Sequence, residues 1–455
     1  MASPDTKRQR MDQAGDPMEE EEPGPPDHLA GLSVQELMQA YYSRLFPHKL
    51  MYKWMAYGHD GKHGQADAGF FPRREFCFTM DGDIFVRYQS FKDGADMADC
   101  ISRKCPAKID IGPVYTCNPQ DRKKFESTFA PVERELVFDI DLTDYDDVRT
   151  CGQGGHICSK CWPLMAVAIQ IIDRGLREDF GYRDILWVYS GRRGVHCWVC
   201  DPSARTLTDD QRSSIVNYFA VYKGHENDRV KLALGAAATF HPSVKLAADA
   251  LDGVWPSLLV AQRLLEDETM RTNMLKYIPE EELAKAISKE WDSCHGSGKQ
   301  NVNLARWAVL KKHVDAKVAA TARTNFKSLR ALQKCQSEII FAHAYPRLDM
   351  EVSKKMNHLL KAPFCVHPKT GKVCVPIEPS EAHSFDPDAV PTVHSLLHQL
   401  PVKAVAKGVE EWQDTDLAAS MEVFQHSFLE GCLKSSREQL GAKARAVAAA
   451  PSLAF

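Results

Sequence analysis

The sequence has no run of 18 apolar residues, so no helix is expected to cross a membrane. It shows no secretory leader, because its first residues are polar and acidic. It lacks the positive surplus of a general nucleic-acid binder: 57 Lys and Arg face 61 Asp and Glu, a formal charge of −4. Residues 1–30 explain that deficit with eight acids and three bases, and the rest holds 54 bases against 53 acids. Any basic site must therefore be local. A P-loop is missing too. HGSGK at 295–299 has neither the required spacing nor a Ser or Thr after the lysine. Nor is there a separate set of cysteines suited to an iron–sulfur cofactor.

What is present describes a globular chain of 455 residues, 44% apolar and 26% charged. That length suggests roughly two or three domains. Fourteen cysteines without a leader point to a reducing compartment, with some thiols serving a metal. Residues 1–30 carry KRQR at 7–10, four glutamates at 19–22 and PGPP at 23–26. They read as a disordered acidic tail whose KRQR is a candidate nuclear import signal. Order is expected from Ser33, which with Glu36 forms a capping box for a helix carrying Leu37, Tyr41 and Leu45.

The most informative stretch is RELVFDIDLTDYDD, residues 134–147. Alternation makes it a short strand with Leu136, Phe138 and Ile140 inward and Asp139 and Asp141 together on the other face. Adjacent carboxylates repel unless a cation lies between them, and divalent ions with oxygen ligands are the usual solution. Two solvated aspartates at a strand end are the plain alternative. A calcium loop fits worse, since Asp144 stands where an EF-hand needs glycine.

Other stretches add charge and geometry. Residues 74–91 read as a β-hairpin turning at Asp81-Gly82 and carrying Glu75, Phe85 and Arg87. Lys108 to Gly112 (KIDIG) reads as a further strand. Cys151, His156, Cys158 and Cys161 follow as C-x4-H-x-C-x2-C, a set of soft ligands suited to closed tetrahedral zinc. Free thiols at a turn are the alternative. Residues 162–181 read as a helix with Pro163 in its first turn, Gly181 at its end, and a core-facing stripe. Residues 185–201 read as two strands around SGRRG. Arg192 and Arg193, with the turn's backbone amides, suit a triphosphate, and His196 lies just beyond. A solvated basic hairpin tip is the alternative. Cys197 and Cys200 imitate a redox pair, but three apart on a strand they face opposite ways and serve packing.

From 203 to 335 helical spacing dominates and strand signals are few, which reads as a helical insertion. Site-like residues then return. Tyr345 to Asp349 (YPRLD) offers a third strand-end carboxylate, followed by His358, Leu359, Leu360 and Lys361, then His367. The tail from 401 to 455 is Ala-rich and helical.

Taken together, VFDIDLTDYDDVR, the Cys/His cluster, WVYSGRRGVHCWVCD and PRLDMEVSKKMNHLLKAPFCVHPKTG resemble the catalytic small subunit of eukaryotic-type DNA primase, in order from about residue 37 to about residue 391. The resemblance implies a mixed α/β (α+β) primase core with a zinc motif and an inserted helical subdomain. The core would run over 31–202, including the zinc motif at 151–161, and resume over 336–400. The implied reaction is template-directed synthesis of short RNA primers on single-stranded DNA from ribonucleoside triphosphates, by two-metal nucleotidyl transfer. Asp139, Asp141 and Asp349 would bind two Mg²⁺ or Mn²⁺ ions, with Glu75 as a fourth catalytic residue. Nucleotide-site residues implied by the matching motifs are Glu75, Phe85 and Arg87; Lys108 and Asp110; Ser190, Gly191, Arg192, Arg193, Gly194 and His196; His358, Leu359, Leu360 and Lys361; and His367. Zn²⁺ would be structural. Several relatives carry Cys-Cys where this chain has Cys151-Gly152, which makes His156 the expected replacement ligand. Implied partners are a large, iron–sulfur primase subunit, the catalytic and accessory subunits of DNA polymerase alpha, template DNA and RNA primer, in the nucleus and with no membrane. A repair or translesion primase-polymerase shares this site, and a non-catalytic zinc-stabilised scaffold is the rival of another class.

Overall fold

The structure, a computed structural model, describes residues 29–59, 65–226, 229–234, 239–294, 301–402 and 410–449. Most of the acidic tail, including KRQR, and the HGSGK segment lie outside these residues.

The chain enters through α1 (Val34–Arg44), where Ser33 and Glu36 form the expected capping box. It continues through α2 (His48–Ala56). The hairpin β1 (Arg74–Met80) and β2 (Ile84–Gln89) follows, then α3 (Gly94–Lys104), β3 (Lys108–Tyr115) and β4 (Pro131–Glu133). The acidic strand is β5 (Leu136–Asp141). Next come α4 (Trp162–Glu178), β6 (Ile185–Tyr189) and β7 (Gly194–Val199). Gly181 (φ +73°) lies just past α4 rather than inside it, in a left-handed conformation that glycine adopts without strain.

Residues 203–335 are mostly helical but not wholly so. After α5 (Pro202–Arg205) and α6 (Asp209–Phe219) comes a two-stranded hairpin, β8 (Tyr222–Glu226) and β9 (Arg229–Leu232). Sequence periodicity missed it because its strands are short and their polar residues do not alternate cleanly. Then follow α7 (Pro242–Ala261), α8 (Glu268–Leu275), α9 (Glu281–Ser293) and α10 (Val302–Ala320). The next helix, α11 (Phe326–Ala344), runs straight across the expected boundary at 335. The chain closes with α12 (Met350–Lys354), β10 (Leu360–Lys361), β11 (Pro376–Ile377), α13 (Val393–His398), α14 (Ala418–Glu422) and α15 (Glu430–Ala449).

Two antiparallel sheets position the site. One has the order β10-β3-β1-β2, with β4 beside β3; the other runs β11-β6-β7-β5. The inward face of the second sheet packs on α4, whose Leu164, Val167, Ala168, Ile171 and Ile172 are buried as the stripe predicts. Trp187 Nε1 donates to Asp173 Oδ1 of α4 (3.0 Å), so its buried polar atom is satisfied.

Candidate active site

In the second sheet Asp139 pairs with His196 and Asp141 with Gly194. Alternation therefore puts Val137, Asp139 and Asp141 on one face with Trp198 and His196. The Trp198 end of that face is closed by Trp54 of α2, with ring centroids 5.4 Å apart. The Asp end stays partly open, with the side chains of Asp139 and Asp141 29% and 31% exposed. Asp349 joins them because its N–H donates to the Asp139 carbonyl (3.0 Å). It is not at a strand end, as its sequence suggested. It caps α12, its Oδ1 accepting from the N–H groups of Glu351 and Val352. Burial, then the charges of Asp141 and Asp349, raise the Asp139 pKa to about 7 against the opposing pull of Lys361. Asp141 is held by Thr143, through its N–H (2.9 Å) and Oγ1 (2.8 Å), and by Arg193 Nε (2.8 Å). His196 Nδ1 is buried without a hydrogen-bond partner. Three crowded carboxylates, two of which push up the pKa of the third, Asp139, fit hard divalent cations. Their oxygens are not all within 4.8 Å of one another, a spread that only a cysteine cluster meets among the described residues.

Opposite this acidic group lies a basic one. Residues 190–194 form a tight turn between β6 and β7, closed by Ser190 N–H to Gly194 O (2.9 Å) and Gly194 N–H to Ser190 Oγ (3.0 Å). Gly191 (φ +84°) has no room for a side chain: a Cβ would sit 2.8 Å from that of His367. At Gly194 it would sit 2.4 Å from the Ile140 carbonyl oxygen. Lys361 Nζ and Thr370 Oγ1 donate to the carbonyls of Ser190 and Gly191. Burial, then Lys361, Arg192, Arg193 and Lys369, press the His367 pKa down to about 4. Burial, then Lys361 and Lys108, push that of His196 well below its usual value. Both imidazoles are therefore neutral at pH 7, amid cations that call for an anion.

The first sheet supplies a third wall. Its register places Glu75, Lys108, Asp110 and Lys361 on one face. A β-bulge breaks the β1–β2 ladder between Phe76 and Phe78, and Tyr88 takes the left-handed conformation (φ +61°). Such a bulge re-aims neighbouring side chains. Here Arg87 turns onto Glu75, with Nε 2.9 Å and Nη2 3.2 Å from its oxygens. Glu75 is fully buried and also accepts from Tyr88 N–H and Tyr115 OH. Its carboxylate is thus committed to holding Arg87 and is not presented beside Asp139. Lys108 pairs with Asp110 (2.9 Å) and lies 5.7 Å from the exposed Phe85 ring. Gly112 leaves space for Leu359, and Leu360 pairs with Ile111.

Two crowded charge clusters of opposite sign, meeting where two sheets abut, suit a metal–triphosphate complex. Comparison with known proteins places the chain in a family. Residues 138–379 match the family model described as DNA primase small subunit. The chain is 40% identical to the DNA primase small subunit of Schizosaccharomyces pombe, over 81% of this chain and 79% of that protein. It is 37% identical to that of Drosophila melanogaster, over 81% and 82%. A more distant similarity, 24% over 64% of this chain and 90% of the relative, links it to the small subunit PriS of Pyrococcus abyssi.

The chain belongs to the DNA primase small subunit family.

For a primase small subunit, most of the expected site converges. Asp141, Asp349 and Lys361 all lie close enough to act on Asp139. Lys361 also acts on His196 and, with Arg192 and Arg193, on His367. Glu75, Lys108 and Asp110 share a face of the neighbouring sheet, with Arg87 held on Glu75. His358 is exposed, and its carbonyl accepts from Arg134 Nε (3.1 Å). The cysteine motif is realised only in part. The sulfurs of Cys151, Cys158 and Cys161 lie within 4.8 Å of one another, and His156 is not among them. Its ring packs on Gly152, and Arg149 holds the loop backbone through the carbonyls of His156 (2.7 Å) and Gly154 (2.9 Å). The tether acts on the backbone, and the His156 side chain lies outside the 4.8 Å sulfur group. Three soft donors still fit a zinc-like ion, although a closed structural site has four ligands. Sequence reading missed Tyr115, which orients Glu75, and Arg347, which pairs with Asp147 behind the acidic loop. Neither lies in a motif that marks its role.

Proposed function

We propose that this primase small subunit makes short RNA primers on single-stranded DNA from ribonucleoside triphosphates by two-metal nucleotidyl transfer. The observation that carries this reading is the meeting of Asp139, Asp141 and Asp349 with Arg192, Arg193, Lys361 and His367. Divalent cations, Mg²⁺ or Mn²⁺, held by the three aspartates supply Lewis-acid activation of the attacking hydroxyl and of the leaving pyrophosphate. Arg192, Arg193 and Lys361 neutralise the β- and γ-phosphates, and neutral His367 and His196 donate hydrogen bonds to phosphate oxygens. Arg193 leaves Asp141 as it takes up phosphate, which frees that carboxylate for a cation. Glu75 and Tyr115 position Arg87 on the nucleotide side. Leu359, over Gly112, and Phe85 line the sugar and base side.

The three-cysteine knuckle reads as a structural zinc site. The small subunit works with a large primase subunit and nucleic acid; an iron–sulfur centre in that partner and assembly with DNA polymerase alpha belong to this proposal. The test supplies single-stranded template, Mg²⁺ or Mn²⁺, and labelled ribo- or deoxynucleotides in competition. Short RNA products support the reading. Preferential use of deoxynucleotides replaces it with a primase-polymerase.

A further inference from the structure

The cysteine knuckle has a neighbour that no motif marks. Gln262 directly follows α7, is 1% exposed, and lies 111 residues from Cys151 in sequence. Its Oε1 accepts from the N–H groups of Thr150 (2.9 Å) and Cys151 (3.3 Å). Its Nε2 donates to the Cys151 sulfur (3.3 Å) and the Lys160 carbonyl (2.7 Å). The Thr150 hydroxyl donates to its backbone carbonyl. These partners fix the amide's orientation. Turned over, it would face two N–H donors with NH₂ and two acceptors with oxygen. One buried side chain thus spans both ends of the loop that carries all three thiols, and ties that loop to the helix before it.

We propose that Gln262 is the outer-shell residue of a three-thiolate metal site formed by Cys151, Cys158 and Cys161, and that His156 is not a ligand. The inference rests on the zinc reading above. It follows from two facts. The His156 ring packs on Gly152, outside the sulfur cluster, while the Gln262 amide N–H is aimed at a sulfur that carries negative charge once it binds metal. An N–H···S bond stabilises that thiolate and holds it toward the other two. Outer-shell partners of this kind change metal affinity by about 10–100-fold when removed.

The test is zinc affinity of the full chain by competition with a chromophoric chelator, with circular dichroism on the same samples. Gln262→Glu keeps size and the two bonds accepted from the Thr150 and Cys151 N–H groups, but it loses the donation to the Lys160 carbonyl and sets a carboxylate oxygen against the thiolate. It is expected to weaken zinc binding by about 10–100-fold with the helical signal retained. Gln262→Ala should weaken it to a similar degree and also lower the Tm. His156→Ala should leave affinity within about twofold on the same scale. Wild-type affinity in both Gln262 variants, or a loss in His156→Ala as large as in Gln262→Glu, overturns the proposal while leaving a zinc site in place. A wild-type chain that takes up no zinc overturns the zinc reading itself, and the proposal with it.

Discussion

Glu135 and Asp139 lie four residues apart on one strand-forming segment, yet they meet opposite surroundings. Glu135 is fully buried. It accepts from Arg74 (3.0 and 3.1 Å), Arg134 (3.3 Å) and Tyr57 OH (2.7 Å). Burial alone would raise its pKa, but Arg74 and Arg134 outweigh it and bring the value down to about 2. Asp139 is more open, yet its pKa rises to about 7, because burial is compounded by Asp141 and Asp349 and only Lys361 opposes them. The first group is neutralised from within the fold and is structural. The second is left unbalanced, as a site must be if its counter-ion arrives with the substrate. Burial by itself does not tell the two apart; the sign of the neighbours does.

The largest expected effect concerns activity. Asp139→Asn or Asp141→Asn should reduce primer synthesis by at least about 10³-fold, since each removes a carboxylate ligand of the cations that stabilise the developing charge. Without divalent cations, Asp139→Asn should hold or raise the Tm at pH 8. A lower Tm would make Asp139 structural and erase the contrast. Next, Glu135→Ala should cost about 3–5 kcal/mol of stability by stranding Arg74 and Arg134 in the interior, read as the shift in a denaturant midpoint. A loss below about 1 kcal/mol would show that the cluster does not hold the fold. Smaller still, Arg193→Ala should raise the nucleotide KM by about tenfold, the cost of one charge-assisted contact, with kcat less affected. An unchanged KM would argue against a phosphate clamp.

The comparison also predicts opposite pH slopes. Asp139 has a raised folded pKa, so the folded state holds an extra proton between about pH 4 and 7 and loses stability as pH rises through that window. Glu135 has a depressed one, so its contribution is present above about pH 4 and lost as pH falls toward 2. Melting from pH 5 to 8, in chelator alone or in excess Mn²⁺ without chelator, should show a larger Mn²⁺ gain at pH 8. An equal gain at both ends would contradict the assignment of Asp139.

Sequence alone made the strand of Asp139 and Asp141 legible, because period-two alternation is local, and likewise the SGRRG turn, whose glycines have no room for side chains. Two features were readable as residues but not as geometry. Asp349 was expected at a strand end and caps a short helix, since YPRLD carries apolar residues that also suit a helix entry. His156 had plausible ligand spacing, but its ring lies against Gly152 and outside the sulfur group. Gln262 and the Glu135 cluster were invisible, because, Arg134 apart, the partners lie 61 to 112 residues away and no local pattern marks them.

The most direct test of the central claim is calorimetric titration of Mn²⁺ into the folded wild type and into Asp139→Asn/Asp141→Asn. The account predicts binding to the wild type, strengthened by nucleoside triphosphate, and none at this site in the variant, whose Tm is unimpaired. Equal binding by both proteins would place the catalytic cations elsewhere and contradict it.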